Sequence, residues 1–127
     1  MIDPHTLVSA AQEARLRAYA PYSKFFVGAA LLSESGQLFT GCNVENASYG
    51  MTVCAERVAV LKAVSAGQTK FTALALATVG GVSPCGGCLQ VLAEFCDDLA
   101  IYVVDVEAGG QFNVLQFSDL LPRRFRL

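Results

Sequence analysis

The chain has 127 residues, the size of one ordinary domain and long enough to bury a core without disulfide staples. Hydrophobic residues make up 54% of it and charged residues only 16%, more apolar than a small monomer needs, so self-association is expected. The net charge of −2 and an isoelectric point near 5.2 give no overall field to attract a polyanion, which argues against a nucleic-acid or membrane-surface role.

Asp3-Pro4 reads as a helix start, with Asp as cap and Pro in the first turn, and Leu7, Val8, Ala11 and Ala14 extend a helical stripe toward Pro21. Two apolar runs over 26–32 and 38–42 flank Glu34-Ser35-Gly36-Gln37, whose composition is that of a hairpin turn, so the runs should pair antiparallel. A second helix is expected over 52–66, stopped by Gly67. Val58, Ala59, Val60, Leu61, Ala63 and Val64 leave it almost no polar face, so it must be covered on more than one side. Residues 72–79 read as a buried strand, 86–95 as a third helix, 100–106 and 111–116 as two more strands, and 118–121 as a short terminal helix. A hairpin followed by alternating helices and strands predicts an α/β fold: a three-layer α/β/α sandwich on a mixed five-stranded sheet, forming one domain over 1–127.

No apolar run approaches the length of a membrane span, and the N-terminus has no basic segment followed by a hydrophobic one. Five cysteines do not make an even disulfide set, and a Cys-x-x-Cys spacing points to metal or redox use in a reducing compartment, so the expectation is a soluble, cytoplasmic protein. The basic cluster Arg123, Arg124 and Arg126 lies beside Leu121 and Phe125. It reads as a solvated or interface-capping tail.

The chemistry concentrates in Cys54-Ala55-Glu56 and Pro84-Cys85-Gly86-Gly87-Cys88. Cys54, Cys85 and Cys88 can fill three corners of a zinc tetrahedron, and catalytic zinc sites keep the fourth open for water. Both segments fall where a loop enters a predicted helix, where exposed N–H groups stabilise thiolates. Glu56 follows Cys54 by two residues, a rotation of about 200° on a helix, which suits an acid/base rather than a ligand. Three thiolates over-neutralise a divalent ion, so Arg57 and the helix N-termini are needed as counter-charge. A knuckle that merely ties loops together would need a fourth protein ligand, for which His5, Cys42 and Cys96 are the remaining thiol and imidazole candidates. The third cysteine, the glutamate after it and the proline before the pair instead match the signature of zinc deaminases acting on nucleobases. Cys42 and Cys96 then read as buried core thiols.

The likeness extends along the chain. Ala20-Pro21-Tyr22-Ser23-Lys24-Phe25, Val27-Gly28-Ala29-Ala30-Leu31, Thr40-Gly41-Cys42-Asn43-Val44-Glu45-Asn46-Ala47-Ser48-Tyr49, Cys54-Ala55-Glu56-Arg57, Ser83-Pro84-Cys85-Gly86-Gly87-Cys88 and Asp119-Leu120-Leu121-Pro122 with Phe125 occur in this order. Together they resemble the short, homotetrameric class of cytidine deaminases. By residue type alone, Phe25 would be a core aromatic and Glu45 a solvated loop charge. The resemblance implies instead that Phe25 packs on the pyrimidine ring, that Asn43 and Glu45 hydrogen-bond the ribose 3′-hydroxyl, and that Ala55 adds a substrate contact. It implies that Tyr49 and Phe125 reach the active site of a neighbouring subunit. It further implies hydrolytic attack at C4 of cytosine with one zinc per subunit, Glu56 carrying the water proton to N3 and then serving the departing ammonia. The expected substrates are cytidine and deoxycytidine, with no nucleic acid or membrane partner. The family commonly has Arg directly after the second cysteine of the pair, where this chain has Leu89, which removes either a charge near the metal cluster or a subunit contact. The rival readings are a zinc deaminase of another cytosine-containing nucleoside and a non-catalytic, zinc-stabilised assembly module.

Overall fold

The computed structural model describes residues 2–127. Helix α1 (Pro4–Arg15) opens as the sequence demands, with the Asp3 carboxylate accepting the His5 N–H at 2.9 Å. It ends a turn short of the predicted stop. Leu16, Arg17 and Ala18 close it with tighter bonds to the carbonyls three residues back, and Tyr19 is then drawn into tertiary bonds, donating to the Asn43 carbonyl and accepting from the Glu45 N–H, each at 2.9 Å. Strands β1 (Gly28–Ser33) and β2 (Leu38–Cys42) form the expected antiparallel hairpin, with Gly36 at φ 93° in the turn. Strand β1 begins later than predicted because the Asn43 side chain, rather than a neighbouring strand, takes the Val27 N–H.

Helix α2 (Ala55–Ser65), strand β3 (Phe71–Thr78), helix α3 (Gly86–Ala93), strand β4 (Ala100–Asp105), strand β5 (Phe112–Gln116) and helix α4 (Phe117–Leu120) complete the chain. A single 3-10 turn at Tyr49–Met51, absent from the sequence reading, precedes α2. The sheet order is β2-β1-β3-β4-β5, parallel only between β3 and β4, so it is mixed as expected.

Alternation along the strands builds the three layers. On one face Ala30, Leu32, Ala73, Ala75, Ala77 and Val104 meet the α1 stripe of Leu7, Val8 and Ala11. On the other, Ala29, Leu31, Leu74, Leu76, Ile101 and Val103 meet Ala59, Val60 and Ala63 of α2 and Leu89 and Leu92 of α3. Small residues on the first face let α1 lie close. Gly28 takes this to its limit, because a Cβ there would sit 2.0 Å from the Ala11 carbonyl oxygen. Gly41 does the same for α2, with an added Cβ 2.4 Å from the Ala55 carbonyl oxygen and 2.7 Å from the Ala59 nitrogen.

Helix α2 was expected to be covered on more than one side. Within this chain one side is covered: Ala55, Glu56, Ala59, Val60 and Ala63 are buried, while Leu61 is 58% exposed. Cys42 and Cys96 are half-buried rather than core thiols. Cys96 sits just past α3, its Sγ donating to the Leu92 carbonyl at 3.3 Å, and burial pushes its thiol up. Among the described residues no helix is long and apolar enough to cross a membrane.

Candidate functional site

Two helix starts supply the sulfurs. Cys54 is the N-cap residue of α2 and Cys85 that of α3, both extended in backbone and neither capping with its side chain, so each Sγ is free to face a ligand. Cys88 lies in the first turn of α3, fully buried, 3.5 Å from Cys85 sulfur to sulfur. The three Sγ atoms all lie within 4.8 Å of one another. Among the described residues no imidazole or carboxylate joins the group, so the donor set is three thiols with room for a fourth, non-protein ligand.

The electrostatics already favour thiolate. A hydrogen bond from Cys88, helped by the Arg57 guanidinium, lowers the Cys54 thiol to about 5. Cys88 is pushed up in turn, because it gives its hydrogen bond to the Cys54 sulfur and is desolvated. Cys54 is thus the most readily ionised of the sulfurs that this site draws together, and filling the site with a metal displaces the thiol protons that remain. Arg57 delivers its charge directly: Nη2 donates to the Cys54 Sγ at 3.5 Å and to the Thr52 carbonyl at 3.4 Å. Its Nε is buried with no hydrogen-bond partner among the described residues, a cost of roughly 1–3 kcal/mol for keeping the cation against the sulfurs.

Glu56 stands in the first turn of α2, only 4% exposed. Burial raises its carboxyl above the ordinary carboxylate value, and the neighbouring Cys54 charge adds to this. Such a group is suited to exchanging a proton. Because Cys54 caps the helix from outside it, the helical rotation expected between Cys54 and Glu56 does not apply; the carboxylate stays out of the sulfur group through its place in the first turn.

Phe25, Asn43, Glu45, Ala55 and Glu56 line one cavity of about 250 Å³ with Cys54 and Cys85. That is near the small end of ligand cavities, which run from ~300 Å³ upward. Phe25 is 41% exposed at its rim, so it is not a core aromatic. Asn43 is buried, but its amide is already occupied: Oδ1 accepts the Val27 N–H at 2.9 Å and Nδ2 donates to the Phe25 carbonyl at 2.8 Å. Glu45 accepts from the Tyr22 and Ser23 N–H groups at 3.0 and 3.1 Å and from the Ser23 hydroxyl, which holds its carboxyl below the ordinary value. Neither side chain waits bare for a ligand.

Tyr49 and Phe125 stand apart from the sulfurs, 81% and 68% exposed. Tyr49 lines a shallow depression beside Glu45, while the Phe125 carbonyl is tied to the Gln90 side chain of α3 at 3.2 Å. Leu89 is buried in the core against α2 and the sheet, so at this position the chain places packing rather than charge. Ser23, Thr52, Leu76, Val82 and Ser83 also line the cavity and went unnoticed in the sequence. For Ser23 the signal was present: a serine two residues before Phe25 in a Pro-Tyr-Ser-Lys turn, a position from which hydroxyls commonly bond nearby backbone.

Comparisons with known proteins show what the whole chain is similar to. The family model of the cytidine and deoxycytidylate deaminase zinc-binding region matches residues 1–104. A cytidine deaminase of Sporosarcina psychrophila is 48% identical over 127 residues, covering 98% of this chain and 92% of the relative. One of Mycobacterium tuberculosis is 47% identical over 128 residues, covering 99% of this chain and 92% of the relative. The crystal structure of cytidine deaminase from Burkholderia pseudomallei superposes with a TM-score of 0.91 at 44% identity, over 98% of this chain and all of the other.

Proposed function

The chain belongs to the cytidine deaminase family, and we propose on that premise that it hydrolyses the 4-amino group of cytidine and deoxycytidine, releasing ammonia and uridine or deoxyuridine for pyrimidine salvage. One observation carries the reading: of three clustered thiols at two helix starts, Cys54 and Cys85 line a small cavity together with a buried carboxyl raised above its ordinary value, and the rim bears an aromatic ring. The donor set fits zinc. Held by Cys54, Cys85 and Cys88, the ion supplies Lewis acidity that makes water nucleophilic near neutral pH.

The chain's own residues do the rest. Phe25 stacks on the pyrimidine and Ala55 borders it, which orients C4 toward the sulfur group. Glu56 takes one proton from water and delivers it to ring N3, then takes the second from the new C4 hydroxyl and passes it to the amine as the C4–N bond breaks and the C4 carbonyl forms, so one carboxyl serves as base and acid in turn. Asn43 and Glu45 bind the ribose 3′-hydroxyl. Arg57 keeps the sulfurs negative without leaving their charge uncompensated. In the balance of the reaction one water is consumed and one ammonia released.

The test is spectroscopic. Zinc-loaded protein is expected to abolish the cytidine absorbance band, chelator-stripped protein to leave it, and zinc added back to restore the loss. The same assay is run with deoxycytidine, and unchanged bands for both with zinc bound would exclude both nucleosides as substrates.

The same reading makes the whole chain one working domain and the assembly a homotetramer with shared sites. Tyr49, Met51, Leu61 and Phe125 are all more than half exposed, an apolar surface that a second copy would cover. Light scattering should give a mass near four times the 13.5 kDa of the chain. A fully active monomer would sink the shared site. The free thiols need a reducing setting to hold a metal, which supports the cytoplasm.

A further inference from the structure

We propose that Ser23 is a positioning residue that ties the two ligand-contacting walls of the cavity together and thereby sets the selectivity for a sugar 3′-hydroxyl. The proposal rests on the reading of Phe25 as the base contact and Glu45 as the sugar contact.

A single hydroxyl joins them. Ser23 Oγ donates to Glu45 Oε2 and accepts the Phe25 N–H at 3.0 Å. The residue between, Lys24, is the one described non-glycine with positive φ, at 59°. That conformation is unfavourable for a side-chain-bearing residue and persists only where the surroundings hold it. The Lys24 N–H is held by the Ala20 carbonyl at 3.0 Å, and Ser23 fixes both flanks, its hydroxyl accepting the Phe25 N–H and its own N–H donating to Glu45 Oε1. The loop can therefore not turn Phe25 without disturbing Glu45.

Counting acceptor sites shows where the sugar is read. An ionised carboxylate has about four lone-pair positions. The Tyr22 and Ser23 N–H groups fill both on Oε1, and the Ser23 hydroxyl fills one on Oε2. One acceptor position, on Oε2, is left for an incoming hydroxyl. A partly buried glutamate without these bonds would sample several rotamers, and each ligand would have to order it on binding. With Ser23 in place the ordering is done beforehand, at a fixed offset from the Phe25 ring.

Steady-state kinetics with cytidine and 3′-deoxycytidine test this on the zinc-loaded protein, comparing wild type with Ser23→Ala, Ser23→Thr and Glu45→Gln. Loss of a hydrogen bond to a charged group is expected to lower kcat/KM for cytidine about ten- to a hundredfold in Ser23→Ala, chiefly through KM. For 3′-deoxycytidine the loss should be several times smaller, since a ligand without that hydroxyl never used the free acceptor and feels only the released Phe25 N–H. Ser23→Thr keeps the oxygen and should keep the preference. Zinc content should be unchanged and the melting temperature should fall only slightly, because Ser23 is exposed and the Ala20 carbonyl still holds the Lys24 N–H. A Ser23→Ala enzyme that retains the wild-type preference while Glu45→Gln loses it would overturn the proposal and leave the sugar reading standing. Retention by both variants would overturn the two together. Should Ser23→Ala fold poorly, Ser23→Cys is read in its place: its weaker donor should give an intermediate loss, and an undiminished preference would overturn the proposal.

Discussion

Glu56→Gln is expected to lower kcat for cytidine at least about a thousandfold while leaving zinc content and fold intact, within the ~10²–10⁴ range of general acid-base catalysis. The two side chains have the same shape, so the packing of this buried position in the first turn of α2 survives. What is lost is the transferable proton. Burial has raised the Glu56 carboxyl, which means the folded protein strains to keep it charged. A neutral amide removes that strain, and the melting temperature should hold or rise slightly. Urea denaturation, metal analysis and turnover on one preparation separate the outcomes. Wild-type turnover would remove Glu56 from the proton path. Loss of zinc together with activity would make the carboxyl a ligand instead.

The second large effect is mechanical. Gly41→Ala should destabilise the fold by more than ~3 kcal/mol and lower its zinc content, although Gly41 touches neither metal nor substrate. The added Cβ would meet the backbone of α2 at Ala55 and Ala59, not the end of a flexible side chain. Relief requires α2 to lift from the sheet, carrying Cys54 and Glu56 with it. Gly50→Ala is the control, since a Cβ there meets nothing within 4 Å and its φ is not in the left-handed region. Denaturation midpoints of the two variants check the contrast. Equal stability would mean that α2 tolerates displacement, and with it that the sulfur group does not depend on this contact.

The sequence made much of this legible because two periodicities coincide with chemistry. Ala73, Leu74, Ala75, Leu76 and Ala77 alternate so regularly that the strand and its two buried faces follow from side-chain direction alone. Cys54, Glu56, Cys85 and Cys88 announce themselves because few arrangements need a proline-flanked thiol pair and a third thiol beside a glutamate. The rest depended on contacts distant in sequence. The start of β1 is decided by the Asn43 amide, which no local propensity reveals. The 3-10 turn at Tyr49–Met51 carries no cap or helical stripe. Glu45 looked like a solvated charge because its donors come from Tyr22 and Ser23, far back in the chain. Leu89 could be placed only once the direction of α3 against the core was known.

The sulfur group also bears on how the chain comes together. Cys54 precedes β3 and Cys88 follows it, so the sulfurs meet across a segment of chain whose strand lies between β1 and β4. An ion shared by the two thus fastens a loop that contains the middle of the sheet. Closing a loop of a few tens of residues removes on the order of 4 kcal/mol of conformational freedom from the unfolded chain, if the ion stays bound there. Metal loading is then a brake on unfolding, and its strength is set by the length of chain between two cysteines as well as by sulfur chemistry.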